Sequence, residues 1–152
     1  MRRSEREITG RHAIDTIIRQ SQVCRLGLSD NGQPYIVPLS FGYDGTSLYF
    51  HAAPAGRKAD IIKVNNRVCF EFDRVMELVT GEQACNWSMN YKSVIGFGVA
   101  ELVEEVSAKA AALNCIMRQY SDRDWTFPEP SLGATAVYRI RIDEIGGKER
   151  RG

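Results

Sequence analysis

Two turn dipeptides, Asn31-Gly32 and Asp44-Gly45, constrain the fold of this chain most strongly, because each separates two strand-like runs. The runs cover residues 23–28, 35–43 and 47–50. Asn-Gly and Asp-Gly favour tight hairpin turns, since these residues tolerate the positive φ that such turns require. A hairpin joins neighbouring antiparallel strands. The first third of the chain is therefore predicted to form an antiparallel sheet.

Further strands are predicted downstream, and residues 67–72 give the clearest pattern. Val68, Phe70 and Phe72 share one face of this strand and polar residues share the other, as in a sheet with one buried side. The remaining predicted strands cover residues 75–79, 92–103 and 136–142. At least six strands are thus expected.

Helices are predicted where apolar residues recur at helical spacing, over residues 11–21, 56–66 and 107–120. Ser107 is the expected N-cap of the last one. Together the elements predict one mainly antiparallel, barrel-like α+β domain that spans residues 1–152. Within it, residues 1–10 form a charged N-terminal arm and residues 146–152 a charged tail.

Three residues in predicted strands need a structural explanation. Pro38 cannot donate a ladder hydrogen bond, so it predicts an edge strand or a β-bulge. Gly96 and Gly98 weaken a strand unless backbone or a ligand approaches closely. They do not form a dinucleotide-binding fingerprint, because the third glycine and the strand-turn-helix context are missing.

Composition excludes several classes of function. The 20 basic and 19 acidic residues leave a net charge of +1, which gives no broad field for nucleic acid or an anionic membrane. The four cysteines lack a Cys-x-x-Cys pair, which argues against zinc and favours a reduced, cytoplasmic protein. With two histidines and no Gly-x-Ser-x-Gly motif, neither a hydrolytic triad nor a metal site is expected.

Residues 48–58 form the main candidate site, because a strand leads there through a Pro/Gly turn into a helix start. Unpaired N–H groups at a helix start, with Gly56, Arg57 and Lys58, predict an anion seat for a phosphate. The alternative is an ordinary solvated basic pair. His51, on the adjoining strand end, either faces a bound molecule or is simply packed there.

Two loops and the missing catalytic groups complete the prediction. Residues 84–91 mix polar and aromatic side chains like a binding loop, and residues 121–133 hold Trp125 in a possible lid or partner contact. These side chains cannot perform redox chemistry alone. A flat, aromatic, phosphate-bearing cofactor would suit a basic helix start beside a glycine-containing sheet.

Several segments in one order resemble a known family: Met1-Arg2-Arg3, residues 34–43, residues 48–51, Gly56-Arg57-Lys58 and residues 91–98. They resemble the FMN-binding split-barrel proteins. More narrowly, they are similar to the nitroimidazole-resistance branch of the pyridoxamine 5′-phosphate oxidase-like superfamily. The resemblance covers nearly the whole chain.

The resemblance implies a six-stranded antiparallel split β-barrel with short flanking helices. It also implies a homodimer, with FMN bound in two symmetry-related clefts at the subunit interface. Small-molecule acceptors and NAD(P)H are the other implied partners.

The resemblance also implies which residues would contact FMN. Arg57 and Lys58 match positions that hold the phosphate. The strand along the isoalloxazine ring would be Pro38, Leu39, Ser40 and Phe41. The strand end facing the cofactor would be His51, Ala52 and Ala53. The phosphate and ribityl side would be completed by Tyr91, Lys92, Ser93 and Val94. Trp125 would reach the cofactor from the partner subunit.

The activity implied is that of an FMN-dependent oxidoreductase acting on a small aromatic or nitro-aromatic acceptor, with His51 orienting substrate or supplying a proton. The arginine-rich motif by which pyridoxamine phosphate oxidases hold their substrate is not visible in this sequence. Two alternatives stay open. One is a non-catalytic protein that binds FMN, haem or another planar cofactor, and the other is a structural dimer with an empty cleft.

Overall fold

The computed structural model of the protein describes residues 4–151. The strands are β1 (Glu7–Ile8), β2 (Cys24–Asp30), β3 (Gln33–Leu39), β4 (Gly42–Tyr43), β5 (Ser47–Ala52), β6 (Arg67–Val79), β7 (Ser88–Leu102) and β8 (Ala136–Arg150). The helices are α1 (Arg11–Arg19), α2 (Arg57–Val64), α3 (Val106–Arg118) and α4 (Glu129–Ala134). Short 3-10 turns occupy Ser4–Arg6 and Ala84–Asn86. No helix within residues 4–151 is long and apolar enough to cross a membrane.

All strand pairs are antiparallel, in the order β3-β2-β6-β7-β8-β5-β4, with β1 paired to β8. The predicted mainly antiparallel α+β class is confirmed. The prediction of at least six strands is confirmed, whereas the six-stranded barrel implied by the resemblance is corrected to an eight-stranded sheet. The predicted strand 35–43 is divided at residues 40–41 into β3 and β4, and the two-residue strand β1 was not predicted. In the described part of the chain, no pairing between β3 and β4 closes the sheet into a complete barrel.

The sheet nevertheless curls around a shared core. Phe41, which immediately precedes β4, lies with its ring centroid 4.8 Å from that of Phe72 on β6, although three strands separate β4 from β6 in the sheet order. Phe50 and Phe70 are also fully buried. Burying such a side chain contributes about 1.5–3 kcal/mol. The hydrophobic gain on this concave face therefore holds the sheet in its curved shape.

Helix α1 covers part of this core with one apolar face. Ile14, Ile17 and Ile18 are all buried, as their helical spacing predicts. The side chain of Arg11 bonds the Tyr43 hydroxyl at 2.8 Å, which ties the start of α1 to β4. The helix is thus fixed to the sheet at both its apolar face and its N-terminal end.

The long strands extend beyond their predicted ends. β6 runs unbroken from residue 67 to residue 79, with a register shift between Val75 and Glu77 where a separate strand was predicted to begin. β8 continues to Arg150, so most of the predicted charged tail is sheet. Tyr91 of β7 pairs with Arg150 there. Pairing with a long neighbour satisfies the backbone and overrides the unfavourable charged sequence.

Smaller corrections concern the two ends of α3 and the N-terminal arm. The N-cap is Glu105, whose carboxylate accepts hydrogen bonds from the Ser107 and Ala108 amides, whereas Ser107 was predicted. The predicted loop at residues 121–133 contains most of α4. The predicted arm contributes β1, because Glu7 and Ile8 pair with the end of β8. Met1-Arg2-Arg3 lies outside the described residues.

Pro38 and the β7 glycines have purely structural explanations. β3 is an edge strand in unbroken register with β2, so Pro38 marks an edge and not a bulge. A side chain at Gly96 would come within 2.1 Å of the Phe70 ring, and one at Gly98 within 2.2 Å of the Arg141 carbonyl. Both glycines therefore admit the protein's own atoms, and a ligand is not needed to explain them.

Helix α3 packs directly on β4 through Gly42. A Cβ placed there would lie 2.5 Å from the backbone of Cys115 and Ile116. The Tyr120 hydroxyl accepts the Phe41 amide at 3.0 Å and donates to the Gln22 carbonyl at 2.9 Å. These contacts clamp the C-terminal end of α3 onto the edge of the sheet.

Replacing Gly42 by alanine is expected to destabilise the protein, because neither the strand backbone nor the helix backbone can move aside cheaply. The expected loss is about 1–3 kcal/mol of unfolding free energy, typical of an overpacked core. Urea unfolding monitored by circular dichroism would measure it. Gly133→Ala is the matched control, since nothing lies within 4 Å of a Cβ at that position. An unchanged midpoint for Gly42→Ala would contradict this account of α3 docking.

Candidate functional site

The N-terminus of α2 opens onto a small cleft of about 280 Å³. Its walls come from β3, the end of β5, the following turn and the first turn of α2: Tyr35, Ala52, Ala53, Ala55, Gly56, Arg57, Lys58 and Ala59. Gly56 has φ 125°, a conformation that a side chain would strain, and it provides no side-chain cap for the helix. The first backbone N–H groups of α2, at the end of the helix that borders the cleft, therefore have no capping side chain.

Arg57 is held in place by an aromatic ring. Its guanidinium carbon lies 4.4 Å from the centroid of the Tyr35 ring on β3. Its Nη2 atom is 3.8 Å from a carboxylate oxygen of Asp30, at the end of β2. At that distance the pair is loose and lacks a direct hydrogen bond. The planar donor face of Arg57 thus stays available to another anion.

Lys58 points to the other side of the cleft, over the core. Its Nζ lies 5.3 Å from the centroid of the Phe50 ring, which is completely buried. Burial alone lowers the pKa of this half-buried amine, and no charged neighbour in residues 4–151 opposes that effect. A cation in such a position is stabilised by an added anion. An anion bound in this cleft would therefore stabilise Lys58.

The end of β5 separates the predicted site residues by face. Ala52 and Ala53 line the cleft, but His51 does not. Phe50 is buried and His51 exposed, as expected for neighbours on opposite faces of a strand. Within one chain, the structure thus brings Ala52, Ala53, Arg57 and Lys58 together and leaves His51 on the other face. The catalytic role of His51 stays a prediction.

The segment predicted to lie along a flavin ring runs past the end of β3 but does not line this cleft. Pro38 and Ser40 are exposed and Leu39 is half-buried. Phe41 is a core residue, and its amide already donates to Tyr120. Phe41 therefore has no free N–H for a ligand, whereas the outer edge of β3 is open to one.

The predicted β7 residues lie in the centre of the sheet. Val94 is completely buried, while Tyr91, Lys92 and Ser93 are half-buried. None of them lines the cleft at α2. A second subunit would have to supply them if they belong to the same site.

Trp125 lies beyond α3, held by Asn114 and Ser121. Its backbone amide donates to Asn114 Oδ1 at 2.8 Å, and its ring nitrogen is 3.3 Å from Ser121 Oγ. The Arg123 guanidinium carbon lies 3.7 Å from the ring centroid. These local contacts fix the side chain, and its predicted role toward a partner's cofactor is untested.

Ser93 faces outward, in an apolar groove of about 570 Å³ between β7 and β8. Ile95 and Phe97 line this groove and are 48% and 47% exposed. On the same face, Arg25 of β2 bridges to Glu71, at 3.2 Å, and to Asp73. Burial, followed by repulsion from Asp73, raises the pKa of Glu71. We call the surface formed by these six residues the outer face.

A larger cleft, about 760 Å³, lies beneath α3. Several of its polar side chains are already paired with one another. Arg139 pairs with Glu101 at 3.2 Å, and the Tyr49 hydroxyl donates to Asp44 at 2.8 Å. Burial raises the pKa of the Cys115 thiol to about 11, so this thiol is not an activated nucleophile. Arg19 also lines this cleft, but it is exposed and lies 5.4 Å from the centroid of the Tyr43 ring. Lys58 is half-buried and burial lowers its pKa, which makes the smaller cleft the better candidate site.

Sequence reasoning missed Tyr35 as a site residue. Its contact with Arg57 joins positions 22 residues apart through the packing of α2 against the β3 edge. No spacing or local motif signals such a contact. Covariation of Tyr35 and Arg57 among related sequences is the kind of signal that could reveal it.

Known proteins resemble this chain over nearly its full length. The family model described as pyridoxamine 5′-phosphate oxidase matches residues 10–149. A candidate 5-nitroimidazole antibiotic resistance protein from Bacteroides thetaiotaomicron is 33% identical, covering 94% of this chain and 86% of its own, with a TM-score of 0.86. No curated protein gives a significant match.

Two further solved structures share the fold. The flavocytochrome Anf3 from Azotobacter vinelandii is 25% identical, covering 100% of this chain and 72% of its own, with a TM-score of 0.89. The FAD and heme binding protein from Mycobacterium smegmatis is 20% identical, covering 97% and 74%, with a TM-score of 0.86. The family match over residues 10–149, together with the 33% identical relative, shows that this chain belongs to the pyridoxamine 5′-phosphate oxidase family.

Proposed function

We propose that the protein is a flavin-binding oxidoreductase whose cleft at the start of α2 holds a flavin phosphate, FMN being the smallest such cofactor. The observation that carries this proposal is Lys58, a half-buried cation with no anion to offset it. Arg57 and the uncapped amides of α2 provide further donors for the same phosphate. The names of related structures, a flavocytochrome among them, support a flavin.

Bound flavin would supply the electron transfer that the side chains lack. Lys58 would contribute charge from the core side of the phosphate, and Arg57, stacked on Tyr35, would bind it from the other side. Ala52 and Ala53 have short side chains that leave room for the chain leading from the phosphate to the ring. His51, exposed at the same strand end, is proposed to orient the acceptor or donate a proton. The proposed acceptor is a small aromatic or nitro-aromatic molecule.

We also propose a homodimer, because one chain does not enclose a whole cofactor. The cleft of about 280 Å³ is smaller than the roughly 300–1,000 Å³ of typical small-molecule sites, so the flavin ring would extend beyond it. The outer face suits a second copy of this chain, since Ile95 and Phe97 are exposed beside charges of both signs on Arg25 and Glu71. A two-fold interface needs such self-complementarity. Ser93 would then approach the partner's site.

A non-catalytic carrier of flavin, haem or another planar cofactor is the second candidate. The names of two related structures combine a flavin with haem. Both candidates predict that a coloured cofactor copurifies. Steady-state consumption of NAD(P)H with a nitro-aromatic acceptor supports the oxidoreductase, whereas binding without turnover supports the carrier. Cytoplasmic placement stays a prediction.

Removing the two cations should weaken FMN far more than riboflavin, because only FMN carries the phosphate. For the double variant Arg57→Ala with Lys58→Ala, we expect at least about a hundredfold loss of FMN affinity, since each charge-assisted bond contributes roughly 1.5–3 kcal/mol. Isothermal titration calorimetry of flavin-free protein would measure it. Lys63→Ala with Arg67→Ala removes the same charge near the other end of α2 and is the control. Equal losses for both flavins would place the phosphate elsewhere.

Lys58→Met should stabilise the flavin-free protein while weakening FMN. Burial lowers the folded pKa of Lys58 below its ordinary 10.5, so the charged amine costs stability at neutral pH. The unfolded chain holds this proton to higher pH, so stability rises as pH rises through the folded pKa toward 10.5. The gain should stay below about 1 kcal/mol, because solvent screens a half-exposed charge. It should also shrink toward pH 10.5.

Thermal unfolding at pH 7 and in mildly alkaline buffer would test the Lys58→Met prediction. Lys63→Met is the control, because Lys63 is exposed and 3.9 Å from Asp60. A Lys58→Met protein that is less stable than wild type would show that Lys58 already has a favourable partner in the free protein, and would remove the main support for the phosphate seat.

Phe97→Asp should convert the proposed dimer into monomers, because a charge would be buried at the centre of the outer face without a partner. Sedimentation velocity is expected to change from twice the 17.1 kDa chain mass to the chain mass itself. Val106→Asp, at an exposed valine of α3, should remain dimeric. A wild-type protein that sediments as a monomer would refute the dimer, and a dimeric Phe97→Asp would place the interface on another surface.

A further inference from the structure

We infer that the larger cleft beneath α3 is a second ligand site, separate from the proposed flavin site, for a small organic acid with one carboxylate and an apolar body. This cleft, about 760 Å³, lies between α3 and the sheet. Its volume falls within the roughly 300–1,000 Å³ of small-molecule sites. Its lining residues differ from those of the cleft at α2, so the inference goes beyond the proposed function and does not depend on it.

The N-terminal half of α3 and the end of β7 leave apolar surface uncovered in this cleft. Ala108 and Ala111 line it from the helix and remain exposed. Leu102 lines it from the sheet and is 52% exposed. Near the other end of α3, by contrast, a Cβ at Gly42 would lie 2.5 Å from the helix backbone. The apolar body of a ligand would thus cover surface that α3 covers only at its C-terminal end.

Arg19, the last residue of α1, lies at this cleft in a fixed position. The side-chain amide of Gln119 donates to the Arg19 carbonyl at 2.9 Å and to the Ser21 carbonyl at 2.8 Å. The Arg19 guanidinium carbon lies 5.4 Å from the centroid of the Tyr43 ring. Backbone and side chain are therefore both held where the guanidinium can bind an anion.

The other two arginines of the cleft already have carboxylate partners. Arg118 bonds Asp124 at 2.8 Å and 3.1 Å, and Arg139 pairs with Glu101 at 3.2 Å. Arg19 forms no such pair within residues 4–151. A guanidinium has five N–H donors in one plane, which suits the two oxygens of a carboxylate. Arg19 is therefore the residue that we assign to the ligand's carboxylate.

Asp44 also lines the cleft, but its own turn uses its carboxylate. Its Oδ1 accepts the Thr46 amide at 2.8 Å and the Ser47 amide at 2.7 Å. Its Oδ2 accepts the Tyr49 hydroxyl at 2.8 Å. Asp44 is thus committed to neutral donors of the sheet, and the Arg19 guanidinium stays available.

The Cys115 thiol shows that these charges lie around one end of the cleft. Burial raises its pKa most, Asp44 raises it further, and Arg118 and Arg19 lower it. A cationic ligand would be repelled by the arginines at this end. A phosphate dianion would bring more negative charge than Arg19 alone can match. One carboxylate at this end, with an apolar body toward Leu102, satisfies both parts of the cleft.

Calorimetric titration of the 152-residue chain as purified with three naphthalene probes tests the inference. 2-Naphthoate, 2-naphthamide and 2-naphthyl phosphate share one apolar ring system and differ in charge. The naphthoate is expected to bind at least about fivefold more tightly than the amide, from a charge-assisted bond that solvent partly screens. The phosphate should bind more weakly than the naphthoate. A naphthoate that binds no more tightly than the amide or the phosphate would overturn the assignment.

Arg19→Gln should abolish the advantage of the naphthoate over the amide and leave FMN affinity unchanged. Arg123→Gln is the matched control, because Arg123 is exposed and lies outside the cleft. Equal losses of naphthoate affinity in the two variants would overturn the inference, since only overall charge would then matter.

Ala111→Leu should weaken the naphthoate and the amide by at least about tenfold, because the leucine would occupy the space of the ring. Ala13→Leu, at an exposed alanine of α1 outside the cleft, is the control and should change neither affinity. Naphthoate binding that persists in both Arg19→Gln and Ala111→Leu would place the probe at another site and overturn the inference. Absence of binding by all three probes would also overturn it.

Discussion

The contact between the Phe41 and Phe72 rings, at 4.8 Å, joins parts of the sheet that three strands separate. A flat sheet with this strand order could not bring the two rings into contact. The hydrophobic gain on the concave face therefore sets the curvature, and curvature brings the β3 edge and the end of β5 to opposite sides of α2. The contacts of α2 show the result, since Arg57 reaches Tyr35 of β3 while Lys58 reaches Phe50 of β5. Packing of the core thus forms the cleft at the start of α2.

This arrangement places two cations where they oppose stability. Adjacent positive charges at a helix N-terminus repel each other and the helix dipole, and burial adds a cost for Lys58. Lys63, by contrast, lies in the last turn with Asp60 at 3.9 Å, as electrostatics favours. The unfavourable pair is explained if an anion completes it, because the same charges then become attractive. Such a local conflict is typical of functional or strained sites.

The elements that depend on local signals could be predicted from the sequence: the Asn31-Gly32 hairpin, the alternation around Phe70 and the isoleucine spacing of α1. Helix starts have fixed donor geometry, so the sequence also predicts an anion seat at α2. The structure brings Arg57 and Lys58 to one cleft there, and the anion itself stays a prediction. What could not be predicted depends on long-range packing. The two-residue strand β4 is held in place by α3, which packs closely over Gly42. Strand β8 extends beyond its alternating apolar residues because β7 pairs with it. Tyr35 was not predicted as a site residue for the same reason, because its contact with Arg57 also depends on long-range packing.

Cofactor binding and self-association are linked if the site is shared between subunits. One chain would provide the proposed phosphate seat at the cleft of α2, while Ser93 lies on the outer face with Ile95 and Phe97. A ligand that contacts both surfaces binds the dimer more tightly than the monomer, so it must raise the dimer's stability by its differential affinity. By the same linkage, any contact that stabilises the dimer through the outer faces would also strengthen cofactor binding, because the two halves of a shared site would then already be together. The core that curls the sheet would in this way set both the cleft and the surface that completes it.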